Sequence, residues 1–416
     1  MLIINDTLGT YGGSITLIER LCKWAVTRKE SIKIYCNDVS NKEIITKLNM
    51  LGVTVECFDT YNENDLLKHI KNDSIAEDVQ IVNFALNNYL SIEVVKKKNR
   101  LKFVNLIYSI HPATFYKGTG VKNGFLKDLI LKRYKKTIQR INQNKAIVFM
   151  DEDNIVSTEK YYGFKFKSPT KISALPMICV PMNYVTLEKK IDHSYQNKTI
   201  LTSCRADFPF KGYVFGLIDD FSQLSSKYQN IRLCIVCSGD ADSVMSVKEK
   251  ILSCKEDVRS KIEFHDWVKY EDLLQLINNS YIYVGMGTGV LDAAIKYVPA
   301  IAVRYNTYEN IADCILCDKP NYVVAEESCE SKAIILMDKL LSLDRETYGA
   351  ISRRCFEEVA KIYDIESFFE YIKSIEKGES YLTNLDVWVH SMNTILNSLK
   401  KKEQYDVRNI QYEEGD

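Results

Sequence analysis

Arg205 and Lys211 stand close together in SCRADFPFKGY (203–213), just past an apolar run of β type, TILTSC (199–204). Two cations beyond the carboxyl end of a parallel strand suit a diphosphate, one offering a planar fork of donors and the other a point charge. Asp207 and Pro209 between them are turn formers. The alternative is a solvated loop with ordinary surface cations. A second cluster lies in YVGMGTGVLDAAIKYVP (283–299), which reads as strand, glycine loop and helix. The N–H groups of Gly285, Gly287, Thr288 and Gly289, with the helix dipole behind them, would form an anion site. Asp292, expected in the first turn of that helix, could accept from a ribose or sugar hydroxyl, or simply favour the dipole.

Gly12 and Gly13 follow the first strand, LIIN, and open a helix that Ser14 could cap. The full GxGxxG fingerprint with an acid closing the next strand is missing, so a plain tight turn competes with a phosphate loop. His111 ends KFVNLIYSI (102–110) and precedes Pro112, a place from which its ring would point into a cleft, against the alternative of a structural histidine. His265, at the end of KIEF, is a weaker candidate of the same kind.

The elements that must position these residues alternate between short apolar β runs and longer helical patterns. LIIN, SIKIYC (31–36), VTVECF (53–58), VQIVNFA (79–85), KFVNLIYSI and KAIVFM (145–150) form one set. TILTSC, IRLCIVC (231–237), KIEFHDW (261–267), YIYVGM (281–286), PAIAV (299–303) and NYVVAE (321–326) form a second. Such alternation implies βαβ units and parallel sheets covered on both faces. The fold class is therefore α/β with two Rossmann-like domains, 1–182 and 197–365, joined by a polar linker at 183–196. A helical C-terminal part and charged tail, 366–416, would pack back on the first domain. The cleft between the domains is the expected site.

At 416 residues the chain has room for two domains, and its 46% apolar and 26% charged residues are those of a globular protein. Lys plus Arg and Asp plus Glu both count 55, so no net field draws nucleic acid. The first residues lack the pattern of a signal peptide, and no run approaches the roughly twenty apolar residues of a membrane span. A cytoplasmic place is expected. The 12 cysteines are scattered through apolar runs and read as reduced core residues. The pairs Cys234/Cys237 and Cys314/Cys317 have zinc spacing but no knuckle turn, and GDAD (239–242) reads as a loop, so no metal is expected. Residues 117–145 carry nine Lys or Arg against one acid, with Leu126, Ile130, Tyr134, Ile138 and Ile141 down one side. Such a helix suits an anionic membrane surface, or else packs its apolar side on the sheet.

With these pieces in place, the sequence resembles the retaining GT-B glycosyltransferases of family four from Gly12 to about Phe369. RADFPFKG (205–212) is similar to the family's Arg…Lys-Gly donor-phosphate motif. GMGTGVLDAAIKYVPAI (285–301) resembles its glycine loop and acid-bearing helix, and IEFHDWV (262–268) the strand that holds the nucleotide base. GGSITLIERL (12–21) resembles the N-terminal glycine loop, and His111 matches a histidine near the transferred sugar. The resemblance implies transfer of a sugar from a nucleotide-sugar donor, a UDP-sugar favoured over a GDP-sugar, to a glycan, polysaccharide or lipid-linked acceptor in bacterial surface-glycan synthesis. It implies that Arg205 and Lys211 neutralise the leaving diphosphate, that Gly287 and Thr288 hold its phosphates and that Asp292 binds the ribose. His111 would orient the sugar, and Gly12 and Gly13 would allow close approach. No metal or other cofactor is implied. Residues 117–145 would place the protein at the inner face of the membrane. At the first of the family's paired glutamates this chain has Val284, which bears on the donor sugar and on retention against inversion. Two rivals stand beside this reading: a non-catalytic GT-B partner that binds a glycan or nucleotide sugar, and a sugar-nucleotide epimerase on the same scaffold.

Overall fold

Apolar runs build most of the inner strands of both sheets, as strands buried on two faces require. The computed structural model describes all residues except 9–12, 38–41, 111, 116–123, 151, 172–175, 327 and 396–416. It divides into two compact units, Met1–Pro176 with Ile365–Asp416, and Met177–Asp364.

The first unit holds β1 (Leu2–Asn5), β2 (Ile32–Cys36), β3 (Thr54–Cys57), β4 (Gln80–Asn83), β5 (Val104–Ser109), β6 (Ile147–Phe149) and β7 (Thr170–Lys171). They form one sheet in the order β3-β2-β1-β4-β5-β6-β7, every pair parallel. The order reverses between β1 and β4, the switch point where doubly wound sheets bind ligands. Helix Phe125–Gln143 buries Ile130, Tyr134, Ile138 and Ile141 in the core beside β5 and β6. Its apolar side is therefore taken by the sheet, the second of the two alternatives that its pattern left open. Helix Ile365–Ser374 returns to this sheet, where Phe368 packs on Tyr108 with ring centroids 4.8 Å apart. Residues 384–395 are helical, and Asp386 among them accepts from Arg133 (2.5 Å) and Arg140 (2.7 Å).

The second unit holds β8 (Thr199–Ala206), β9 (Arg232–Gly239), β10 (Ile262–His265), β11 (Ile282–Gly285) and β12 (Ala300–Ala302). They run parallel in the order β10-β9-β8-β11-β12, with the switch point between β8 and β11. The chain enters and leaves this unit side by side, Met177 N–H donating to the Tyr363 carbonyl at 2.7 Å.

Two expectations give way here. Residues 183–196, read as a linker, belong to helix Tyr184–Asn197. Asn183 caps it through Thr186 N–H, and Leu187 and Ile191 bury one face, while Glu188 and Asp192 accept from Arg345 at 2.6 and 2.7 Å. The polar residues that suggested a linker are its solvent side and its ion pairs. NYVVAE (321–326) is not a strand. Its backbone instead serves the neighbouring loops, the Val323 carbonyl accepting from Gly287 N–H and Ala325 N–H donating to Val303.

Candidate functional site in the second unit

β8 extends to Ala206, so Arg205 is its penultimate residue, and Lys211 lies in the turn before helix Tyr213–Lys227. Arg205 is 68% exposed and meets Asp207 at 3.4 Å, an open pair worth little to stability. Lys211 sits deeper. Burial lowers its ammonium from the ordinary lysine value, and Arg205 lowers it further against the opposing charge of Asp207. Gly212 is required at the cap: a Cβ there would lie 2.7 Å from the Thr307 carbonyl oxygen. The segment after β12 thus presses on this turn, and Asn306 N–H donates to the Phe210 carbonyl at 3.0 Å.

The glycine loop follows β11, which is hydrogen-bonded to β8, so both turns leave the carboxyl side of adjacent strands. Gly287 has φ +68° and caps helix Thr288–Ala294, a conformation that favours glycine. Its N–H is committed to the Val323 carbonyl, leaving the N–H groups of the first helical turn as the donors an anion could meet. Gly285 and Gly289 have a different task. A Cβ at either would strike Tyr283, whose hydroxyl bonds Ser203 Oγ at 2.7 Å across β11 and β8. These two glycines are spacing for a buried tyrosine rather than loop flexibility. Val284 is fully buried in β11.

Asp292 falls in the second turn of its helix, not the first, because the helix begins only at Thr288. It is 3% exposed, and its Oδ1 accepts from the Tyr270 hydroxyl at 2.9 Å. A ribose hydroxyl would share that carboxylate with Tyr270. Neither Tyr270 nor Tyr283 was marked by the sequence, since an isolated tyrosine has no spacing signal. Beside Lys211, Cys204 donates to Cys237 at 3.5 Å from directly paired positions on β8 and β9. GDAD (239–242) is not the loop expected: Gly239 ends β9, and Asp240 caps helix Ala241–Leu252 through Ser243 N–H, which with its neighbours lowers its carboxyl pKa.

In the first unit, Gly13 begins helix Gly13–Thr27, whereas Gly12 and His111 lie outside the described residues. The carboxyl ends of β1 and β4 instead carry Asn5 and Asn83, joined at 3.1 Å, with Asn83 donating on to Asn105 at 2.7 Å and Asn105 to Glu93 at 2.9 Å. Asp6 follows directly, and burial pushes its carboxyl up to about 7. An asparagine closing each of two apolar strands, LIIN and QIVN, was the available signal for this polar chain.

Two doubly wound parallel sheets, each with one switch point, define the α/β GT-B architecture. No protein-family model matches the chain, and no curated protein sequence matches it. Among solved structures, a glycosyltransferase from Rickettsia africae is similar with TM-score 0.60 at 16% identity, covering 90% of this chain and 98% of that one. The Anabaena protein HepE, solved with UDP and glucose, is similar with TM-score 0.56 at 12% identity, covering 89% and 98%. Trehalose-6-phosphate synthase OtsA follows with TM-score 0.55 at 10% identity, covering 91% and 100%. At such identities the likeness is one of fold.

Proposed function

We propose that this protein is a glycosyltransferase of the retaining GT-B family four, moving a sugar from a nucleotide-sugar donor to a glycan, polysaccharide or lipid-linked acceptor. The observation that carries the reading is the adjacency of β8 and β11, which sends the Arg205–Lys211 turn and the Gly287–Thr288 turn out from one switch point. As the bond between the anomeric carbon and the diphosphate oxygen breaks, negative charge grows on the leaving group. Lys211, held in a poorly solvated place, and Arg205 would neutralise it, an effect expected to dominate catalysis. Asp292 would hold the ribose and His111 the transferred sugar, with Gly12 and Gly13 allowing close approach. Transfer then needs no metal or other cofactor at the diphosphate. UDP is the favoured nucleotide, a choice supported by the UDP bound to HepE. The first unit would receive the acceptor and the second the donor.

Among the described residues no helix is long and apolar enough to cross a membrane. Peripheral contact at the inner face of a bacterial membrane is part of the proposal. It falls to Lys132 and Lys136 with the exposed Phe125 and Leu129, because Arg133 and Lys135 are engaged by Asp386 and the Gly163 carbonyl. The buried Val284, where the family has a sugar-contacting glutamate, favours a second reading as a non-catalytic partner. An assay of UDP release from UDP-sugars, with and without a panel of glycan and lipid-linked acceptors, separates the readings. Release that depends on acceptor supports transfer, conversion of donor alone supports an epimerase, and nucleotide binding without turnover supports the partner.

A further inference from the structure

Cys234 lies on β9 and Glu263 directly opposite on β10, the edge strand of the second sheet. His265 follows two residues later on β10 and so shares their face. One ligand atom from each, Sγ, a carboxylate oxygen and an imidazole nitrogen, lies within 4.8 Å of the other two. Cys237 cannot join them. Three residues on, it projects from the opposite face of β9 and meets Cys204 instead. The zinc-spaced pair in the sequence is therefore no clamp, but one of its members belongs to a different cluster that only the strand pairing assembles.

One feature of this cluster points to a cation. The His265 Nε2 atom is shielded from solvent and stands 2.9 Å from a Glu263 oxygen without forming a directed hydrogen bond. In the tautomer with its proton on Nδ1, Nε2 is an acceptor, and two acceptor atoms that close are naturally bridged by a positive centre. Cys234 is 3% exposed, and on binding a metal its thiol would give up its proton. In a tetrahedral zinc site with Zn–S of about 2.3 Å and Zn–N and Zn–O of about 2.1 Å, neighbouring ligand atoms are roughly 3.3–3.6 Å apart.

We propose that Cys234, Glu263 and His265 form a site for one divalent transition-metal cation of the zinc class, with the fourth position open to solvent. The donor set selects the metal: thiolate and imidazole favour zinc and its neighbours and disfavour Mg²⁺ and Ca²⁺. Glu263 is 65% exposed and His265 30%, so the remaining position faces water. Such an ion would tie the edge strand to the sheet interior and would present a Lewis-acidic centre at the end of β10.

The test is titration of the chelator-treated full chain with Co²⁺, followed by absorbance. The site should take up one equivalent with the visible bands of tetrahedral Co²⁺ and a near-ultraviolet thiolate charge-transfer band, and Zn²⁺, not Mg²⁺, should abolish both. Cys234→Ser should remove the charge-transfer band. His265→Gln, at a partly exposed ring that tolerates change, should weaken uptake by more than about tenfold, the least that losing even an outer partner of a ligand costs. Absence of stoichiometric uptake overturns the site, as does a charge-transfer band that survives Cys234→Ser, or unchanged affinity in His265→Gln. If Cys234→Ser does not fold, His265→Gln alone decides. No nucleotide is present, so the outcome is independent of the glycosyl-transfer proposal.

Discussion

Replacing Lys211 with methionine keeps the buried stem and removes only the charge. Because burial already holds the ammonium below its usual value, the unliganded protein should lose nothing and unfold at the same or a slightly higher temperature. Its response to nucleotide should change sharply. A charge-assisted contact to a phosphate is worth about 1.5–3 kcal/mol, equivalent to roughly 10- to 100-fold in affinity. At UDP about 100 times the dissociation constant, the native chain should gain about 2.7 kcal/mol. A variant about 100-fold weaker should gain only about 0.4 kcal/mol at the same concentration. For a domain of this size those values are melting shifts of roughly 5–11 °C and 1–2 °C. Thermal unfolding with UDP, GDP, CMP and dTDP reads the difference and names the nucleotide. If Lys211→Met keeps the full shift, Lys211 is not at the diphosphate. If no nucleotide stabilises the native chain, the donor site itself is misplaced.

Three further outcomes follow from the packing. Asp386 is 3% exposed and accepts from Arg133, Arg140, Thr137 and Thr383, so Asp386→Ala should cost about 3 kcal/mol in denaturant unfolding. Burial opposes its charge, yet these donors hold its pKa below the ordinary 3.8; its contribution is present above that value and should fade as pH falls below it, a slope missing in the variant. Gly289→Ala drives a Cβ into the Tyr283 hydroxyl and should destabilise by about 1–3 kcal/mol, with part of the loss recovered in the double variant with Tyr283→Phe; strictly additive effects would contradict the contact. Lys132→Gln with Lys136→Gln should weaken binding to anionic vesicles by about 30-fold at roughly 1 kcal/mol per charge, and unchanged sedimentation would remove membrane contact from the proposal.

Much of this was legible in the order of residues. Apolar runs such as LIIN and IRLCIVC could only be buried strands, and the helical patterns between them required parallel pairing and an α/β fold. Arg205, Lys211 and Gly287 were visible as types that suit a phosphate after a strand, because that chemistry is local: it needs a short turn and a strand end, both written in neighbouring residues. Where partners come from distant segments, the sequence was silent. It could not pair Cys234 with Glu263 and His265, Asp292 with Tyr270, or Arg133 and Arg140 with Asp386, since strand order and helix docking depend on the whole chain. For the same reason Gly285 and Gly289 looked like loop residues, when their lack of a side chain answers to the buried bulk of Tyr283. Residue types alone determined which chemistry is available and which elements form. Only tertiary packing decided which groups meet and which charges stay free, because contact energies act between surfaces that the chain brings together only once it is folded.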